Sequence, residues 1–120
     1  MDKKELEKRT KDFAIRILPF VIGFPRNKAA DVAGYQLAKS GTSIGANYRE
    51  ANRAESHDDF IHKIGIVEKE AGECQYWLEI VEAIKLGNQA ERSWLYKECS
   101  ELLAIFTTIG KTAKRRRKDY

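Results

Sequence analysis

Residues 56–81 read SHDDFIHKIGIVEKEAGECQYWLEIV. Within them Phe60, Ile64, Val67, Ala71, Cys74, Leu78 and Val81 recur at alternating steps of four and three. That is the spacing of one helix face, so the stretch predicts a long amphipathic helix. Ser56 is a good N-cap, and Asp58 and Asp59 suit the first turn through the helix dipole. Leu86-Gly87-Asn88 supplies the stop. A helix of this length spans about 45 Å.

Beyond the turn the same period resumes. Leu95, Cys99, Leu102, Phe106, Ile109 and Ala113 give a fourth helix starting near Gln89. A turn this short makes the two helices an antiparallel pair. Cys74 and Cys99 then sit at a similar level, and both are read as reduced, buried apolar groups. Upstream, Leu6, Phe13, Ile17, Phe20 and Phe24 mark a first helix over about 3–24. Pro19 is expected to kink it or end it early, and Pro25 to break it. A second helix is expected from Asn27 or Lys28 to Asn52, with a stripe of Ala33, Leu37, Gly41, Ile44, Tyr48 and Ala51. Gly34, Gly41 and Gly45 in its interior suggest close backbone approach to a neighbour. Four long helices, short connections and no strand signal predict an all-α, antiparallel up-down-up-down four-helix bundle.

The chain has 120 residues, enough for one core and too few for two. It is 42% hydrophobic and 33% charged, which excludes a disordered or collagen-like chain. No apolar run reaches the roughly 20 residues of a membrane span. The opening MDKKELEKRTKDF places charges where a signal peptide needs an apolar core, so a cytoplasmic address is expected. The net charge of +4 is unevenly distributed. Residues 1–110, the bundle, hold 16 bases against 17 acids. Residues 111–120, read as a basic tail continuing the fourth helix, hold six bases (Lys111, Lys114, Arg115, Arg116, Arg117 and Lys118) against Asp119. Such a cluster either neutralises phosphates or is a solvated helix end whose cations favour the dipole.

A second pattern lies beside the apolar stripe of the second helix. Gln36, Ser40, Ser43, Asn47 and Glu50 repeat at four and three. Ile66, Glu70, Glu73, Trp77 and Ile80 form a matching stripe on the third. Small amide and hydroxyl groups suit a hydrogen-bonded packing seam, within a subunit or between subunits; a ligand groove is the other reading. The glutamates suit a salt bridge, for instance to Arg49, more than acid–base or metal work. A di-metal bundle site needs two Glu-x-x-His motifs. Asp59-x-x-His62 occurs once, and His57 and His62 fall on different sides of their helix. Gly41-Thr42-Ser43-Ile44-Gly45 is neither a P-loop nor a nucleophile elbow. No catalytic residue, metal site or cofactor is assigned, and a metal-dependent bundle enzyme stands only as a contrast.

The run Gln36…Ser40-x-x-Ser43-Ile44-x-x-Asn47-x-x-Glu50, followed by Glu70-x-x-Glu73…Trp77-Leu78-Glu79, resembles the four-helix-bundle proteins encoded in 23S ribosomal RNA intervening sequences. Phe13-Ala14 and the break at Pro25 fit the same pattern, and the resemblance covers nearly the whole chain. Lys39, Gly41 and Tyr48-Arg49-Glu50 depart from the family's commoner residues. The resemblance implies a ring-shaped homo-oligomer, a pentamer favoured, and an association with ribosomal RNA; it carries over no catalytic residue. A related bundle is the accessory protein of diversity-generating retroelements. The polar stripes then read as an assembly seam. The expected function is an RNA-associated assembly whose phosphate contacts come from the tail and from Arg49 and Arg53. The alternative is a protein–protein scaffold or accessory subunit of a nucleic-acid enzyme. There, exposed aromatics (Tyr35, Tyr48, Trp94 and Tyr96) would supply the contacts.

Overall fold

The computed structural model describes the backbone of residues 1–118 and side chains through Arg116. Four helices follow one another: α1 (Lys3–Ile22), α2 (Lys28–Ala51), α3 (His57–Ala83) and α4 (Gln89–Lys118). Each packs along its predecessor, and α4 returns to α1 along a looser seam. The result is an antiparallel four-helix bundle measuring 52 × 23 × 20 Å. A rod of this shape has two ends, and α4 carries the C-terminal cations to the end where α1 and α3 begin.

The helix starts follow local chemistry. Asp2, Asn27, Ser56 and Asn88 each accept a backbone N–H three residues on, at 2.8–3.0 Å. Each thereby satisfies an amide that lacks an intrahelical partner. The end of α3 is a Schellman motif. Leu86 N–H donates to Val81 O at 2.9 Å and Lys85 N–H to Glu82 O at 3.2 Å. Lys85, not a glycine, occupies the left-handed position (φ 60°), and Gly87 follows at φ 76°.

The core is the set of stripes, with local corrections. Phe13, Ile17, Leu37, Ile44, Ile64, Val67, Leu78, Leu95, Leu102 and Phe106 are all buried. Ile61 is buried in the first turn of α3 while Phe60 is only partly buried. Phe24 and Ile109 also sit at the core margin. Thr10 is fully buried, its hydroxyl donating to Leu6 O at 3.0 Å, which removes the cost of burying it. Tyr48 is not an exposed aromatic: it is buried and meets Phe106 edge-to-face at 5.1 Å. Helix α1 does not stop at Pro19 but continues to Ile22. The intrahelical bond that proline removes is the one to the Ile15 carbonyl. Ile15 and Pro19 both lie on the exposed side, where solvent can take that acceptor.

The glycines of α2 do bring backbones together. A Cβ at Gly41 would meet Ile17 at 3.1 Å, and one at Gly45 would meet Thr10 Oγ1 at 3.0 Å.

Candidate nucleic-acid interface

The bundle end shared by the start of α1, the end of α2, the start of α3 and the end of α4 collects most of the cations singled out in the sequence. Lys3, Arg49, Arg53, Lys111, Lys114, Arg115 and Arg116 are located there, and all seven are exposed. Among the described residues, no carboxylate lies within ion-pair distance of these seven. The side chains of Arg117 and Lys118 fall outside the described residues. Residues 111–113 are part of the bundle rather than an appendage. Ala113 is buried, and His57 Nε2 donates to its carbonyl at 2.8 Å. That bond fixes the last turns of α4 against the start of α3, so Lys114–Arg116 project from an anchored helix.

The polar stripe of α2 makes its hydrogen bonds mostly within its own helix. Ser40 Oγ donates to Gln36 O at 2.9 Å, Ser43 Oγ to Lys39 O at 2.6 Å and Asn47 Nδ2 to Ser43 O at 2.8 Å. Ser40 is buried; Gln36, Ser43 and Asn47 are half-buried. Glu50 reaches across, to Lys63 Nζ on α3 at 3.4 Å. On α3, Glu73 is exposed and Trp77 half-buried against the core. Glu70 is half-buried, and its Oε2 is buried with no hydrogen-bond partner among the described residues. Burial, then the charge of Glu73, pushes its carboxyl above the ordinary value. The stripe thus holds one carboxylate oxygen without a hydrogen-bond donor beside small polar groups.

The sequence did not reveal the arginines that close the bundle. Arg9 on α1 forks onto Glu98 on α4. Arg16 donates to Glu91 at 2.8 Å and lies over the Trp94 ring, 3.6 Å from its centroid. Arg92 is buried at the α3–α4 turn, donating to Glu82, to Leu86 O at 2.7 Å and to Gly87 O at 3.1 Å. Their partners lie on other helices or across a turn, where helical periodicity carries no signal.

Cys74 and Cys99 are free thiols, both fully buried, and Cys99 Sγ donates to Ala71 O at 3.4 Å. The hydrogen bond with Cys99, then burial, holds the Cys74 thiol well above its usual range, so it is a poor nucleophile at neutral pH. His62 is exposed, away from the His57–Ala113 contact. Among the described residues, no group of three or more His, Cys, Asp or Glu side chains is placed to hold a metal ion.

Comparison with known proteins places the chain. No curated protein matches it. A crystal structure of a protein of unknown function from the S23 ribosomal protein family of Bacteroides thetaiotaomicron is similar over 88% of this chain and 98% of that one. The two share 33% sequence identity, with a TM-score of 0.78. A family model described as 23S rRNA-intervening sequence protein matches residues 3–108, stopping short of the basic segment. With most of its length so matched and its bundle shared with that structure, the chain belongs to the 23S rRNA-intervening sequence protein family.

Proposed function

We propose that this chain is a non-enzymatic, cytoplasmic, RNA-associated bundle working as a homo-oligomer, with a pentameric ring favoured. Its basic helix end supplies the phosphate contacts. The observation that carries the reading is the anchored end of α4, where Lys111, Lys114, Arg115 and Arg116 stand exposed with no carboxylate partner among the described residues. Clustered unpaired cations bind phosphates by releasing counterions, and a ring would multiply each tail's contribution. Ile15, Leu18 and Ile22, exposed at steps of three and four along α1, offer apolar surface for subunit contact. The reading assigns no catalytic residue and no cofactor. Free, buried cysteines accord with a reducing compartment. No helix among the described residues is long and apolar enough to cross a membrane.

The test is a salt series of RNA binding. The intact chain is compared with a variant carrying Lys111→Gln, Lys114→Gln, Arg115→Gln and Arg116→Gln together. Single-stranded RNA affinity should fall steeply with salt, and the log–log slope of the variant should be shallower by about 0.7 for each phosphate it no longer neutralises. Salt-independent or absent binding by the intact chain overturns the reading. Light scattering that finds only monomer removes the ring.

A second reading, an accessory subunit of a nucleic-acid enzyme, is favoured by Tyr35 and Tyr76, exposed by 64% and 54%. Partners that co-purify unaffected by nuclease would support it.

A further inference from the structure

One cavity at the basic end differs in chemistry from the others. It measures about 420 Å³ and lies between the start of α1, the first turn of α3 and the end of α4. Lys3 and Arg116 supply cations, His57 and Phe60 supply rings, and Thr108 and Thr112 supply hydroxyls. Among the described residues, no carboxylate lines it. Four other cavities on the described surface each include one or more: Glu91 in one, Glu79 and Glu82 in another, Glu5, Asp12 and Glu98 in a third, Asp31 in a fourth. In those four the carboxylates balance or outnumber the lining cations (Arg16, Arg92, Lys8 with Arg9, and Arg26), whereas here the cations stand without one, so an anionic ligand is favoured in this cavity.

The rings are arranged for stacking. His57 and Phe60 lie nearly parallel, 19° apart, with centroids separated by 6.5 Å. His57 is held by its bond to Ala113 O. Phe60 is available because its neighbour Ile61 takes the buried position in this turn. A large aromatic is thus left partly exposed beside cations. The Thr108 and Thr112 hydroxyls line the same cavity and can serve polar edges.

We propose that this cavity takes one unpaired base of single-stranded RNA. The base stacks on the Phe60–His57 rings, and Lys3 and Arg116 hold the adjoining phosphates. An aromatic platform beside a basic groove is how proteins bind single strands without reading their sequence. Duplex RNA keeps its bases stacked on one another and gains nothing from the rings. The inference rests on the RNA-binding reading and adds to it a site and a preference for unpaired RNA.

The test compares a short single-stranded RNA carrying a fluorescent purine analogue with its duplex, on intact protein and on Phe60→Leu. Leucine keeps most of the packing and loses the ring; circular dichroism melts check the fold. Single-strand affinity should drop about tenfold in Phe60→Leu while duplex affinity holds. Intact protein should quench the analogue's fluorescence, a readout that needs no variant. Equal single-strand binding by both proteins, or no quenching on binding, overturns the base cavity and leaves phosphate binding standing. Failure of both RNAs to bind the intact protein overturns both.

Discussion

Arg9 on α1 meets Glu98 on α4 in a two-pronged ion pair, Nε to Oε2 at 2.8 Å and Nη2 to Oε1 at 2.6 Å. It spans the looser of the bundle's seams, where side chains must do what close backbone packing does elsewhere. Both partners are mostly sheltered, with side-chain exposures of 25% and 13%. Paired, charge-assisted bonds of this kind exceed an exposed salt bridge in worth. Arg9→Ala should destabilise the chain by about 2 kcal/mol in urea denaturation. Arg9→Lys should recover only part of that, since an ammonium cannot reproduce the fork. In the double variant with Glu98→Ala the combined cost should be smaller than the sum of the two single costs; strict additivity would show that the pair does not act as a unit.

Two pairs of glycines on neighbouring helices should respond in opposite directions to alanine. A Cβ at Gly45 meets Thr10 at Oγ1 (3.0 Å), Cβ (3.2 Å) and the backbone C (3.3 Å), so α1 must shift. Gly41 similarly faces Ile17. Gly45→Ala should cost about 1–3 kcal/mol despite alanine's better helix propensity. At Gly65 and Gly72 nothing lies within 4 Å of the added carbon. There alanine should raise stability by up to about 1 kcal/mol. Thermal melts of the four single variants check the contrast.

Lys85 holds a left-handed backbone with a side chain attached. That conformation costs a non-glycine residue about 1 kcal/mol. Its amide already completes the Schellman motif through Glu82 O, and a glycine would keep that bond. Lys85→Gly should therefore stabilise the α3–α4 turn by roughly 0.5–1 kcal/mol, net of the entropy glycine adds to the unfolded chain. Gly87→Ala should do the reverse, because a Cβ there strikes the Phe20 ring and φ stays positive. Both shifts are measurable as changes in the urea midpoint at constant slope.

The bundle was legible because its signals are local or periodic. Asn27 and Ser56 mark helix starts by what their own side chains can accept. The four-and-three stripe of α3 runs for seven positions, which only one helix face can satisfy. Phe60 and Ile61 show the limit: two adjacent apolar residues at a helix start both fit, and it is Ile61 that is buried while Phe60 packs at the core margin. Pro19 shows another, since the cost of a missing amide bond depends on whether its acceptor faces solvent. The arginine clamps were not legible, because Arg9 and Glu98 are 89 residues apart and share no pattern. The basic segment was plain in the composition. The cavity beside it was not, because it is made by the meeting of three helices.

Glu70 should give the chain an unusual response to pH. Burial, then the neighbouring Glu73, raises its carboxyl above the ordinary 4.5, outweighing the opposing charges of Lys69 and Lys39. The folded state therefore holds this proton more tightly than the unfolded state does. The contribution favours folding below about pH 4.5 and is lost as pH rises through the higher folded value. That is opposite in sign to the paired carboxylates behind ordinary acid unfolding. Glu70→Gln removes the charge and keeps the shape, and its amide can donate where the orphaned Oε2 now finds no donor. The variant should match the parent near pH 4 and exceed it at pH 7, by about 1 kcal/mol at most because the group is only half-buried. Melting temperatures across that interval decide the matter. A gap that fails to open with rising pH would mean that Glu70 ionises in the bundle at no cost.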